Sequence, residues 1–203
     1  GNAGSVTPEA TSNRVAKISL GANLQPAATQ ASSRVKLPAS TLQARTGQFR
    51  ERRTGGPIRV TLQDSVLRVG NQRLVPLAEN AFVSGAMRVE FARDAALLRL
   101  ISPDADTTEY VRVAEWTPTA TELQEYVGRY ASDEAEVTFT ISVKDGRLVR
   151  IDRYGQTANL IPSYRDAFAQ GGVLVTFRRN ADGRVVGMSL GLGRVRDLRF
   201  EKQ

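Results

Sequence analysis

The 203-residue chain contains no cysteine and no histidine. Without thiols it has neither a disulfide framework nor a thiolate metal site. The additional lack of histidine removes Cys–His nucleophile pairs, Ser-His-Asp triads and nearly every common zinc site. The acidic segments at 104–106 and 133–136 lack the glycine and the terminal glutamate of a calcium loop, so we predict turns there. We therefore expect no metal, no cofactor and no catalytic residue in this chain.

Long apolar runs are also missing. No stretch approaches the roughly 20 residues that cross a bilayer, so we expect no transmembrane segment. The start, Gly1 to Gly4, lacks the basic and apolar regions of a signal peptide. We interpret this abrupt start as that of a piece of a longer chain.

Basic residues exceed acidic ones, giving a formal net charge of +7 and a pI near 10.2. The excess is spread along the chain: residues 37–116 carry eleven bases and nine acids, and residues 117–203 carry thirteen and eleven. No stripe of one charge emerges, which argues against a nucleic-acid partner.

An internal repeat organises the sequence. Leu42, Gly47 and Phe49 align with Leu123, Gly128 and Tyr130 at a spacing of 81, and residues 76–82 and 89–91 align with 162–168 and 175–177 at a spacing of 86. A spacing that jumps once by five indicates a loop insertion, which we place at 153–156. The chain therefore contains two copies of one small unit.

Each copy begins with a predicted helical turn, capped by Ser40 with Gln43 and by Thr121 with Gln124. Short segments of alternating apolar and polar residues follow, broken by turn residues every eight to ten positions. Many short strands at even spacing, with only one helical turn per copy, predict an all-β fold: two tandem antiparallel barrels of about eight strands each.

The copies define the domains. We predict the first barrel at 37–116 and the second at 117–203, with Trp116 packing where they meet. Residues 25–36 have the small, polar composition of a linker. Within 1–24, Thr7 to Leu20 predicts a short helix whose apolar face is formed by Val15, Ile18 and Ala22.

Two kinds of functional region stand out. Arg153, Tyr154, Tyr164 and Arg165 lie in or near the insertion of the second copy, and added loop residues are where function tends to concentrate. They are our candidate interaction loop, although such a loop can also simply cover a barrel end. The recurring aromatic residues either fill the barrel cores or line a ligand cavity, since a barrel of this size permits both.

One catalytic pattern occurs, Ser33-Arg-Val-Lys36, which fits Ser-x-x-Lys. That chemistry needs the serine at a helix start beside a buried lysine, and here the motif lies in the predicted linker. We therefore interpret it as a chance match.

The repeat motif resembles a known family. Leu123-Gln-Glu-Tyr-Val-Gly-Arg-Tyr130, its degenerate copy at 42–49, the Val-x-Phe-x-Arg-Asp/Asn strands and the closing Leu-Arg-Phe are similar to the lipocalin-like barrels that follow the catalytic domain of β-lactamase-like serine hydrolases, including D-aminopeptidase relatives. Arg45 departs from the motif, because it stands where an aromatic residue is expected.

The resemblance implies that residues 1–24 are the end of a catalytic domain and that this domain, in the same parent chain, is the main partner. The fragment would then be a non-catalytic accessory module that shapes substrate access or self-association, for example as a homodimer, in the periplasm or outside the cell. The alternative is a lipocalin-like barrel that binds a small apolar ligand.

Overall fold

The computed structural model describes residues 35–192 and 195–203. These residues form two barrel-like antiparallel sheets, each preceded by one short helix, so the predicted all-β class is confirmed. The predicted N-terminal helix with Val15, Ile18 and Ala22, and most of the predicted linker, lie outside the described residues.

The elements follow one another in the same order in both halves. The first half contains α1 (Ala39–Arg45), β1 (Gly47–Glu51), β2 (Pro57–Gln63), β3 (Val66–Val69), β4 (Gln72–Arg73), β5 (Val75–Ala78), β6 (Ala81–Ser84), β7 (Met87–Phe91), β8 (Leu97–Ile101) and β9 (Thr107–Val113). The second contains α2 (Ala120–Gln124), β10 (Gly128–Ser132), β11 (Val137–Lys144), β12 (Arg147–Ile151), β13 (Thr157–Tyr164), β14 (Ala167–Gln170), β15 (Val173–Arg179), β16 (Val185–Leu192) and β17 (Val195–Lys202).

The two sheets differ in how they close. Strands β10 to β17 form a closed eight-stranded barrel, whereas the nine strands of the first sheet run from β4 at one edge to β5 at the other. The bond from the Leu74 N–H to the Leu67 carbonyl, at 2.8 Å, continues the pairing of β3 with β4 up to the break between β4 and β5. The equivalent residues of the second copy, Leu148 and Leu160, belong to a ladder of four pairs between β12 and β13.

The same two pairs locate the predicted insertion. Leu67 and Leu74 are seven positions apart, and Leu148 and Leu160 are twelve apart, so the five additional residues lie within the β12–β13 hairpin. The structure also reveals a second length change that the sequence alignment missed. Phe91 pairs with Leu98, and its counterpart Phe177 pairs with Met188, so the β15–β16 hairpin is four residues longer than β7–β8.

Both helices begin earlier than predicted. Thr119, rather than Thr121, caps α2: its hydroxyl accepts from the Glu122 N–H at 3.2 Å, and the Glu122 carboxylate accepts from the Thr119 N–H at 2.8 Å. Helix α1 starts after Pro38 with no side-chain cap. The cap predicted for α2 was wrong because Thr119 with Glu122 and Thr121 with Gln124 both fit the reciprocal pattern, and the sequence does not decide between them. In the first copy the predicted cap, Ser40, lies inside α1.

A glycine marks the passage from helix to first strand in both copies. Gly47 has φ +139° and Gly128 has φ +154°, a region that L side chains rarely adopt. A Cβ at Gly128 would also lie 2.7 Å from Cε of Lys202. The two copies thus share a backbone requirement as well as a pattern of apolar residues.

Each sheet encloses its own core, and the two cores use equivalent positions. The first core holds Phe49, Phe82 and Phe91, and the second holds Tyr130, Phe168 and Phe177; all six are at most 5% exposed. The rings meet edge to face, with centroids 5.6 Å apart both for Phe82–Phe91 and for Phe168–Phe177. Such pairs add stability beyond the area they bury.

We predict that Phe177→Ala destabilises the protein by roughly 3–5 kcal/mol, because it leaves a cavity among three other rings that cannot all collapse into it. The free energy of unfolding from urea titration measures the loss. Ile161→Ala is the matched control, since that side chain is 63% exposed and should change stability by less than about 0.5 kcal/mol. Equal losses in the two variants would contradict a packed interior.

Candidate functional site

A groove lies between the two halves of the described structure. It encloses about 840 Å³ and is formed by the β1–β2 hairpin, residues 50–57, facing the outer surface of β13 to β16. Its basic side chains, Arg50, Arg52 and Arg53, come from the hairpin, and its floor includes Leu174 and Thr176. Grooves between packed units are frequent sites of binding.

Tyr164 fixes the hairpin against the second barrel. Its hydroxyl donates to the Gly55 carbonyl at 2.7 Å, and the guanidinium of Arg50 lies 5.9 Å from the centre of its ring. Burial raises the pKa of Tyr164, and Arg50 partly offsets that rise. A further contact joins the Gln48 amide to the Ser163 hydroxyl at 3.3 Å. The two halves are therefore linked through polar contacts at the end of β13.

A polar cluster closes the helix end of the second barrel. The Tyr126 hydroxyl donates to Oδ1 of Asp166 at 2.8 Å, and Nε of Arg179 donates to the same oxygen at 2.9 Å. The Arg179 guanidinium also pairs with Glu125 at 2.7 Å and donates to the Gly183 carbonyl at 2.6 Å. These contacts connect the segment that follows α2, the β13–β14 turn and the β15–β16 hairpin.

Tyr126 and Arg179 are each held in one protonation state within this cluster. Burial, followed by the hydrogen bond to Asp166, raises the pKa of Tyr126 far above its ordinary value, so the phenol stays protonated and acts as a donor. Hydrogen bonding to Asp166 raises the pKa of Arg179, so the guanidinium stays charged. Groups held in one protonation state suit a structural role better than general acid–base chemistry, which needs a pKa near the working pH.

The first copy carries a different set at the same place. Arg45 and Asn80 occupy the positions of Tyr126 and Asp166, and Nη2 of Arg45 donates to Oδ1 of Asn80. The backbone agrees in both copies: the Phe91 N–H donates to the Asn80 carbonyl and the Phe177 N–H to the Asp166 carbonyl, each at 2.8 Å. Arg45 is only 4% exposed and its Nε is buried without a partner.

The structure separates the residues of the predicted interaction loop. Tyr154, 73% exposed, lies in the β12–β13 turn under the guanidinium of Arg153, which donates to its hydroxyl at 2.6 Å. Tyr164 and Arg165 lie at the other end of β13, and Arg165 is 3.6 Å from the Glu122 carboxylate. A strand of eight residues places these pairs roughly 23 Å apart.

Trp116 packs on the second barrel. Its ring centroid is 5.6 Å from that of Phe168 and 6.2 Å from that of Tyr126. It also lines a smaller groove, of about 470 Å³, to which Gln48 and Arg59 of the first half contribute. The predicted position near the junction thus agrees with its surroundings.

Sequence reasoning missed both the β1–β2 hairpin and the Asp166–Arg179 pair. In the sequence, the Gly55-Gly56 pair indicates a tight turn, but no pattern indicates that this turn lies against the second copy. Asp166 and Arg179 lie thirteen positions apart on different hairpins. A comparison of the two copies could have singled out Asp166, because it replaces Asn80 at an aligned position.

Two classes of site are not found in the described part of the chain. No group of three or more acidic side chains there could hold a metal ion. No helix among those residues is both long and apolar enough to span a bilayer.

These features define a protein of two duplicated, barrel-like antiparallel sheets. Residues 113–202, which include Trp116, α2 and the whole second barrel, match the family model described as a domain of unknown function (DUF3471). No curated protein matches the chain.

We predict that Asp166→Asn lowers stability by roughly 1–3 kcal/mol, because it removes the charge that accepts from both Tyr126 and Arg179 in a partly buried site. Urea unfolding measures the loss. Glu109→Gln is the control: its carboxylate also accepts from two arginines, but at the surface, where solvent screens the charges and we expect a smaller loss than in Asp166→Asn. A larger loss in the control would refute the assigned importance of the cluster.

We predict that Tyr164→Phe loosens the contact between the halves, because the Gly55 carbonyl loses its donor, at a cost of roughly 1 kcal/mol. Hydrogen exchange measures the effect: the amides of Glu51 and Gly55, which close the β1–β2 hairpin, should exchange faster. Tyr154→Phe, at an exposed tyrosine, should leave them unchanged. Unaltered exchange in Tyr164→Phe would count against this link.

Proposed function

We propose that this chain is a non-catalytic accessory module of a β-lactamase-like serine hydrolase, located C-terminal to the catalytic domain of the same parent chain. It would pack on that domain and shape substrate access or self-association. The motif resemblance in both copies supports this proposal, and the resemblance also implies a periplasmic or secreted location.

The filled interior of the second barrel carries the proposal. Tyr126, Tyr130, Phe168 and Phe200 are at most 1% exposed, and their rings and that of Phe177 occupy the centre of the barrel. An eight-stranded barrel has room either for such side chains or for one small ligand, and here side chains take the deep interior. A docking role therefore fits better than a carrier role.

Surface features offer places for docking. Tyr154 at the tip of the lengthened hairpin and Ile161 on the outer face of β13 are both largely exposed. Tyrosines that combine ring area with a hydroxyl are enriched at protein interfaces. The groove under the β1–β2 hairpin adds a concave surface with three arginines.

The decisive experiment compares three proteins: the parent chain, its catalytic domain alone, and the 203-residue chain. We expect the parent gene to encode Ser-x-x-Lys upstream. The 203-residue chain should hydrolyse neither a chromogenic β-lactam nor a D-amino-acid amide, and removing it should change kcat/KM of the catalytic domain. Hydrolysis by the 203-residue chain alone, or a parent without a hydrolase domain, would overturn the proposal.

A second measurement addresses the carrier alternative. A bulky, uncharged hydrophobic fluorescent probe should show no saturable binding to the unmodified chain, because the deep interior is occupied by rings. Saturable, stoichiometric binding to the unmodified protein would favour the carrier function.

A further inference from the structure

The barrel end opposite the helix α2 is not filled in the same way as the centre. Because side chains alternate along a strand, the residue two positions beyond a buried inward-facing residue also faces inward. At this end of the barrel those residues are Phe139 beyond Ile141, Arg150 beyond Leu148 and Gln170 beyond Phe168. Strands β15 to β17 add Val173, Leu190 and Leu198. All six of these inward-facing side chains are only half-buried, and we call this set the open-end layer.

Arg150 is the one charged residue of the open-end layer. Its guanidinium carbon lies 4.1 Å from the centre of the Phe139 ring, and its Nε donates to Oε1 of Gln170 at 2.9 Å. These contacts hold the guanidinium in one orientation. Neither contact neutralises its charge, because the partners are an aromatic face and an amide.

No salt bridge to Arg150 occurs among the described residues. Its two Nη groups donate to none of those residues either. Desolvation lowers the pKa of Arg150, and the charge of Asp152 acts in the opposite direction. Asp152 itself accepts from the N–H groups of Tyr154 and Gln156, each at 2.9 Å, within its own turn. A partly desolvated cation with an unused donor edge favours an incoming anion.

The first copy provides an internal comparison. The positions of Phe139, Arg150 and Gln170 are occupied there by Ile58, Val69 and Ser84, which are also half-buried. The shape of the layer is thus repeated, but the cation, the ring beneath it and the amide that orients it occur together only in the second copy. Closing a barrel end does not require this trio.

We infer that the open-end layer of the second barrel binds a small monocarboxylate that carries an apolar group. The carboxylate would accept from the Nη edge of Arg150, and the apolar group would lie on Phe139, Val173, Leu190 and Leu198. The buried rings beneath limit the site to a short ligand. The acidic turn at 133–136 disfavours anions of higher charge, such as phosphate esters.

The test uses the unmodified 203-residue chain with benzoate as the probe. NMR of the arginine Nε–H groups should show a saturable shift of the Arg150 signal. Acetate, which lacks the apolar group, and benzyl alcohol, which lacks the charge, should each bind at least about tenfold more weakly. No saturable shift with benzoate, or equal binding of benzyl alcohol, would overturn the inference.

Variants test the same site. Arg150→Gln should weaken benzoate binding at least about tenfold, because it removes the charged donor. Arg147→Gln, the same change three residues earlier on an exposed position of β12, should retain the affinity of the unmodified chain. Equal affinity for benzoate in Arg150→Gln and Arg147→Gln would contradict the assignment of the site to Arg150. If Arg150→Gln folds poorly, the titration of the unmodified protein still tests the inference.

Discussion

Edge-to-face packing of aromatic rings at the centre of each sheet is the interaction on which the rest of the structure depends. Phe82 and Phe91 in the first half, and Phe168 and Phe177 in the second, lie on neighbouring strands and point into their own core. A ring fills a barrel interior with few side-chain torsions to immobilise. Once these rings are in place, the register of the strands that carry them is fixed, because a slip by one residue would turn each ring to the outside.

The duplication shows which features the core needs and which it tolerates. Both copies contain the buried rings, the glycine that begins the first strand, and the hydrogen bond to the carbonyl of Asn80 or Asp166. The helix-end cluster differs: Arg45 and Asn80 replace Tyr126 and Asp166, whereas the arginine at 179 has an arginine counterpart, Arg93. Since Arg45 has a buried Nε without a partner, the first copy closes this end less favourably. The polar residues that close the helix end of each sheet therefore differ between the copies, whereas the buried aromatic rings are retained.

Most of the fold could be predicted from the sequence, because alternation and an internal repeat are local signals that reinforce one another. The alignment of Phe49 with Tyr130 located the same buried position in both cores. The interaction loop was harder to assess, since Tyr154 and Tyr164 are near in sequence but lie at opposite ends of one strand. The Tyr164–Gly55 contact joins residues 109 positions apart, and no local pattern reports such a pair.

The longer β12–β13 hairpin links closure of the second barrel to its distinctive open end. In the first copy Val69 pairs with Gln72 beside a tight turn, and β3 forms two pairs with β4 on that side. In the second copy the five additional residues extend the pairing, and Arg150 pairs with Ala158 inside the new ladder. Main-chain bonds on both sides of β12 then hold Arg150 at an inward-facing position, over the ring of Phe139. The longer hairpin therefore holds a cation at the mouth of the second barrel, whereas Val69, the equivalent residue of the first copy, is paired with Val60 and Gln72 but brings no charge.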